Sequence, residues 1–457
     1  MKLSKASVRG SARSIPQLRF EDQQLTSFGG IVVFQALFQR LDLPGRLRRC
    51  CDHLAPGGTY DHHRIVLLLI VHLLLGYRRL RGMDFYRDDP MVLRCLGWRR
   101  MPDVSTVSRR LREMDAKAYQ KVRALSTELV WGRLSREGFT TLTFDFDGSV
   151  HSTKSRATEG TAVGYNKSKG ERSYYPLFAT VAQTGQVVDV LHRPGNVHDS
   201  NGAAGLISDV LVTARQRAPR ARLEARLDAA HFSEEICLGL AELRVEFSIS
   251  VPFERFADLK SLIESRSRWH TIDETWSYFE ELWRPKRWAY PFRVVLYRQR
   301  ERRPRQGALQ LDIFYPVEHE FSFKAVITNK TESAAAVLGF HNGRGAQENV
   351  FGELKSMLQM DYIPTRRLVG NQIFLTAGLL AHNLTRELQM IAQAPERGTT
   401  RKRTQRWIFE KLDSIRGRLL QRAGRLTAPA GHLTLTMSAN PAVAHELTTY
   451  LQVLDAA

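Results

Sequence analysis

The chain has 457 residues, 43% of them hydrophobic and 25% charged, which is ordinary for a globular protein and enough for two to four domains. Its 67 Lys and Arg face 47 Asp and Glu, a net charge of +20. That excess argues for a polyanionic partner, because basic side chains that neutralise phosphates release condensed counterions. The most apolar run, Ile65 to Leu75, is broken by His72 and falls short of the ~18–20 residues a membrane span needs, so membrane classes are excluded.

The first residues, MKLSKASVRGSARS, have no apolar run behind their charges and do not read as a secretory signal. Cys50, Cys51, Cys95 and Cys237 form no C-x-x-C pair, so they read as free thiols of a reducing cytosol rather than a zinc site or a disulfide framework. Residues 29–125 carry apolar side chains at three- and four-residue spacing, which predicts helices punctuated by Pro44, Gly57-Gly58 and Pro90. DVSTVSRRLREM (103–114) begins with a capping pattern, Asp103 or Ser105, and then exposes Arg109, Arg110 and Arg112. A capped basic helix of this kind is how a helix-turn-helix presents a reading helix to DNA, and equally how a solvated helix sits in a bundle.

At residue 141 the period changes to two. TLTFDFDGSV points Leu142, Phe144 and Phe146 one way and Asp145 and Asp147 the other. YYPLFATVAQ and QVVDVLHRPG follow as a hairpin turning at Thr184-Gly185. Then come a helix (200–215), a strand ending RLDAAHF, a helix (233–243) and the strand VEFSISVP, an α/β layout. Residues 253–320 are dense in aromatics, Trp288 among them, and read as a mostly β insertion. FKAVITN (323–329) is a further strand, helices run through 333–391, and 397–425 is strongly basic. RLTAPAGHLTLTM reads as a hairpin.

Asp145 and Asp147 share a strand face, so they need a salt bridge or a cation to offset burial and repulsion. Asp228 repeats the theme where RLEARLDAAHF meets a loop. His341, Arg344, Glu348 and Lys355, spaced 3, 4 and 7, fall within roughly a 60° arc of a helix. Gly343 and Gly345 suggest that this helix begins only near Ala346, and Glu353 lies far around it. A solvated charged face is the bland meaning of such an arc.

At these residues the chain resembles the DDE transposases of bacterial insertion sequences, in the branch with a Tyr-x2-Arg-x3-Glu-x6-Lys signature. HNGRGAQENVFGELK matches three of the four positions, with His341 in place of Tyr. DFDGSV resembles the first-aspartate strand, placing that residue at Asp147 with Asp145 as the alternative, and RLDAAHF resembles the second. EGTAVGYNKSKGERSYYPL and HRPGNVHDSNGA resemble the stretch between them. The resemblance implies a fold and a division of the chain. These are a helical N-terminal DNA-binding domain (1–137), an RNase H-like α/β core (138–252 and 321–391), a mostly β insertion (253–320) and a basic C-terminal region (392–457).

It also implies a site. Asp147, Asp228 and Glu348 would be the catalytic carboxylates, holding two Mg²⁺ or Mn²⁺ ions. His341, Arg344, Lys355, Trp288, Arg109 and Arg110 would contact DNA. Partners would be the element's terminal inverted repeats and target DNA, bound by a homodimer in the cytoplasm at the nucleoid. An RNase H-like resolvase, or a DNA-binding protein derived from a transposase, is the alternative. Arg109 and Arg110 would read sequence, whereas Arg401, Lys402 and Arg403 would hold phosphates.

Overall fold

The computed structural model describes residues 17–21, 23–164, 170–197, 202–302, 319–395 and 406–455. Arg401, Lys402 and Arg403, and parts of the stretch between the first two expected site aspartates, lie outside these residues.

Six helices come first: α1 (Val32–Arg40), α2 (Leu43–Cys51), α3 (His62–Leu74), α4 (Pro90–Leu96), α5 (Val104–Glu113) and α6 (Ala116–Glu137). The apolar run at 65–75 forms α3, buried on all sides. Its interrupting His72 is reconciled with that burial by the Tyr86 hydroxyl, 2.7 Å from Nδ1. Helix α4 starts where the Asp89 carboxylate accepts from the amides of Met91 and Val92, with Pro90 as its first residue. Helix α5 has no such cap: Asp103 precedes it, but its side chain accepts no amide, and Ser105 lies inside the helix. The expected capping of this helix is therefore not realised.

The sheet follows. Strands β1 (Thr141–Gly148), β2 (Leu177–Val181) and β3 (Gln186–Leu191) form an antiparallel meander. Helix α7 (Ala203–Arg217) leads to β4 (Arg222–Leu227), parallel to β1, and helix α8 (Glu234–Glu242) leads to β5 (Glu246–Val251), parallel to β4. The order β3-β2-β1-β4-β5, a meander continued by helix-connected parallel strands, is an RNase H-like α/β core.

Residues 253–320 begin with a helix, α9 (Ala257–Ser265), and continue as β6 (Trp276–Trp283) and β7 (Phe292–Arg302). These strands do not form a separate sheet. Strand β8 (His319–Thr328) pairs with β7 on one side and β5 on the other, and a short strand, His270–Thr271, pairs with β6, so among the described residues these strands extend the core sheet to nine. Helices α10 (Ala334–Asn342), α11 (Gly345–Leu358) and α12 (Leu368–Ala392) then cross its face. The chain ends in a hairpin, β9 (Gly424–Thr427) with β10 (Thr434–Met437), and helix α13 (Pro441–Asp455).

The two sheet faces differ. One is apolar throughout: Leu142, Phe144 and Phe146 of β1 and Leu223, Ala225 and Leu227 of β4 pack with α7, α8 and α9. The other is apolar only towards its edges. Phe178, Val187 and Val190 join the core formed by the N-terminal helices, α11, α12 and the C-terminal helix. At the far edge Val295, Tyr297 and Val326 meet α10. Between these patches runs a row of polar side chains, Thr143, Asp145, Glu224, Arg226 and Ser248, all buried. The N-terminal helices thus share one core with the helices that cross the large sheet. Among the described residues no helix is long and apolar enough to cross a membrane.

Candidate active site

The polar row is explained by register. Parallel pairing sets Thr143 beside Glu224 and Asp145 beside Arg226. Each pair interacts: the Thr143 hydroxyl donates to Glu224 Oε2 at 2.7 Å, and Arg226 donates through Nε (2.5 Å) and Nη2 (2.7 Å) to the two oxygens of Asp145. Arg226 Nη1 also donates to the Phe340 carbonyl at the end of α10, and Lys330 Nζ donates to Glu224 Oε1 at 2.9 Å. A buried carboxylate is tolerated when its oxygens are occupied in this way. Burial pushes the Asp145 carboxyl up, and the Arg226 guanidinium pulls it back.

Two residues further along, side chains return to the same face. The register that pairs Phe146 with Leu227 brings Asp147 beside Asp228, a carboxylate beside a carboxylate. Both lie at the carboxyl ends of their strands, where the sheet opens. Burial first, and then Asp228, raise the Asp147 carboxyl to about 6, against the opposing Arg344 guanidinium. Asp228 stays below the usual carboxylate range despite burial, because His231 Nδ1 lies 2.7 Å from its Oδ1 and the Ala230 amide donates to the same oxygen.

The third group arrives from α11. Arg344 precedes that helix, with Nη1 3.1 Å from Asp147 Oδ2 and Nη2 4.0 Å from Glu348 Oε1. Glu348 stands in the first turn at the rim, its side chain 70% exposed. Glu353 faces inward instead, held at 2.5 Å by Arg386, with Leu412's amide donating to its other oxygen. Gln347 donates to the Asp145 carbonyl at 3.1 Å and so ties the start of α11 to β1.

The structure brings Asp147, Asp228, Arg344 and Glu348 to one end of the sheet, with Lys355 exposed two turns along α11. It does not bring His341 to the surface. That ring is buried, with Ser248 Oγ 2.9 Å from Nδ1 and Ser250 Oγ 2.8 Å from Nε2. Burial and the surrounding cations Lys324, Arg344 and Arg226 hold its pKa well below the histidine range. A neutral, doubly hydrogen-bonded imidazole beneath the surface ties α10 to β5.

Trp288 is half-buried and stacks on Phe232, centroids 4.9 Å apart and planes 23° apart, so it rests on the loop that carries Asp228. One of its faces is therefore taken by the protein. Arg110 is also committed, donating to Glu113 Oε2 at 2.6 Å and to the Gly57 carbonyl at 2.8 Å. Arg109 is exposed, and among the described residues its hydrogen-bond partner is Thr106 of its own helix.

Three residues that build this site carry no expectation from the sequence: Arg226, His231 and Gln347. The alternation Glu224, Arg226, Asp228 was a readable signal for the first, and the three-residue step from Asp228 for the second. Gln347 carried none.

All three carboxylates offer hard oxygen donors, the kind that suits Mg²⁺ or Mn²⁺. The like-charged pair Asp147 and Asp228 fits a cation electrostatically, and Arg344 supplies the positive charge there in the structure. Among the described residues no three His, Cys, Asp or Glu side chains converge closely enough to hold an ion. Glu348, exposed at the rim, does not join Asp147 and Asp228 in such a cluster.

A family model, the transposase DDE domain group 1, matches residues 9–457. The chain belongs to this family of DNA transposition enzymes. No curated protein matches it. Among solved structures, the piggyBac transposase synaptic complex with hairpin DNA is similar over 86% of this chain and 80% of that one, at 11% identity and a TM-score of 0.38. The Mos1 transposase paired-end complex with left transposon end is similar over 43% and 60%, at 14% identity and a TM-score of 0.18.

Proposed function

We propose that this transposase cleaves DNA strands at the ends of a bacterial insertion sequence and transfers them to target DNA. Asp147, Asp228 and Glu348 would be the ligands of two divalent cations. The membership in the Tyr-Arg-Glu-Lys branch, with His341 at the first position, is part of the same reading. The observation that carries it is the pair Asp147 and Asp228 at adjacent strand ends, like-charged and facing the one helix that supplies Arg344 and Glu348.

Bound there, two divalent cations supply an activated water or 3′-hydroxyl and stabilise the leaving oxygen of an in-line displacement at phosphorus. The chain's own residues do the rest. Asp147 and Asp228 give rigid oxygen donors because β1 and β4 fix their backbones. His231 keeps Asp228 ionised and oriented through its Nδ1 contact. Arg344, now 3.1 Å from Asp147 Oδ2, would pair with a DNA phosphate beside the site, and Lys355 would hold the backbone beyond it. Trp288 lies beside the Asp228 loop, where an unpaired base near the cut could lie against its uncovered edge.

The test is Mg²⁺-dependent nicking and strand transfer on DNA carrying the element's ends. Asp147→Ala, Asp228→Ala and Glu348→Ala should each abolish cleavage while binding persists, because phosphate contacts elsewhere supply most of the affinity. Full cleavage by Glu348→Ala would overturn the assignment.

A further inference from the structure

Four arginines converge on one groove outside the site just described. Arg109 and Arg112 come from α5, and Arg366 and Arg367 from the loop between α11 and α12. With Pro364, Thr365 and Glu113 they line an open groove of about 640 Å³. All four arginines are exposed. Arg112 and Arg366 make no ion pair among the described residues, Arg109 donates only to Thr106, and Arg367 lies 3.8 Å from Glu159. The one carboxylate in the groove, Glu113, is already engaged by Arg110 and by His62, 3.2 Å away. Among the described residues the groove is therefore strongly positive, with Glu159 beside Arg367 as its main counter-charge.

Its walls are also held in place. The loop is closed on itself, with the Arg367 amide donating to Thr365 Oγ1 at 3.1 Å and the Thr365 amide to Asn371 Oδ1 at 3.0 Å. It is tied to the segment before β2 by the Glu159 amide, which donates to the Arg366 carbonyl at 2.8 Å, and by the Leu368 amide, which donates to Glu159 Oε2 at 3.1 Å. Helix α5 presses on the first turn of α12 closely enough that a Cβ at Gly370 would come within 3.2 Å of the Leu111 carbonyl. Guanidinium groups brought together on rigid walls repel one another unless an anion lies between them, so the arrangement is organised for a polyanion before one arrives.

We infer that this groove is a clamp for the phosphate backbone of the DNA duplex that the active site cuts. The inference rests on the proposed function above and adds a location and a reading mode to it. Helix α11 links the two places: Glu348 lies in its first turn, and the loop that carries Arg366 and Arg367 follows its last residue, Leu358, about 15 Å further along the axis. Because Arg110 is tied down inside the protein, α5 contributes charge to the backbone rather than a pair of base-reading arginines.

The experiment is a binding titration of the full-length protein on a short fluorescent duplex of arbitrary sequence, and on one carrying the element's end, at several salt concentrations. Arg366→Gln with Arg367→Gln, and separately Arg109→Gln with Arg112→Gln, should each reduce the log–log salt slope, equally on both duplexes. The expected reduction is about 0.9 for each phosphate that is no longer neutralised. The second pair touches only solvent-facing positions of α5, so it remains informative if removing Arg367 from Glu159 disturbs the loop. Unchanged slopes for both pairs, beside a steep slope for the unaltered protein, would overturn the clamp while leaving the proposed function standing. A weakening confined to the element's end would also overturn it, by making α5 a reader of bases. An unaltered protein that binds no duplex at all would remove the proposed function itself, and the clamp with it.

Discussion

Asp145 and Asp147 lie two residues apart on one strand, on one face, under one register, and the fold treats them oppositely. The strand partner of Asp145 is Arg226, buried and bidentate. The residue beside Asp147 is Asp228, and its counter-charge must come from outside the sheet, from Arg344. The buried half of the polar row is electrostatically complete and the open half is incomplete. Stability resides in the first, and the second is where the proposed cations would bind, since strained electrostatics mark candidate functional sites.

The largest effect that would break this comparison is at the buried end. Asp145→Ala or Arg226→Ala leaves an uncompensated buried charge and should cost about 3–5 kcal/mol in chemical denaturation. A cost near zero would mean that the pair does not hold the sheet together.

Asp147→Asn should do the reverse in metal-free protein. Folding raises the Asp147 pKa from 3.8 to about 6, so the folded chain holds that proton more tightly than the unfolded one. The cost of ionising it is absent below about pH 4, grows as pH rises, and is complete above about 6. The Asn variant should therefore be more stable than the unaltered protein by on the order of 1–3 kcal/mol at pH 8, and no more stable at pH 4. A pH-independent difference between the two proteins would show that neither burial nor Asp228 raises the Asp147 carboxyl.

The smallest effect is in the middle of the row. Ser250→Ala removes one hydrogen bond to the buried His341 and should cost about 1 kcal/mol, with duplex binding unchanged. A selective loss of DNA binding would return His341 to the surface role its position in the signature suggested.

The contrast also shows what was legible beforehand. The period-two alternation of TLTFDFDGSV put both aspartates on one face, and the helix and strand succession after residue 200 was readable because each element carries one clean period. The choice within the pair was not settled by pattern, since it depends on which residue of β4 stands opposite, and register is a tertiary fact. Once β4 is set in place, its own alternation of Glu224, Arg226 and Asp228 decides which aspartate is neutralised. The surroundings of His341 were hidden for a similar reason. Its place in the motif was plain, but the serines that take its ring, Ser248 and Ser250, lie some ninety residues away on another strand. Arg110 looked exposed on its helix because its acceptor, the Gly57 carbonyl, belongs to a turn with no signal of pairing. The segment 253–320 stood out by its aromatics. That its strands continue the core sheet could not be read without knowing that β8 pairs with both β5 and β7.

The central claim is that the repelling pair and the rim glutamate form one metal site. Soaking crystals of the protein with Mn²⁺ and locating the ions by anomalous scattering tests it most directly. The account predicts manganese between the Asp147 and Asp228 carboxylates at ligand distances of about 2.0–2.6 Å, with Glu348 turned inward and Arg344 released from Asp147. Manganese bound elsewhere, or none at that pair under conditions that support strand cleavage, would contradict it.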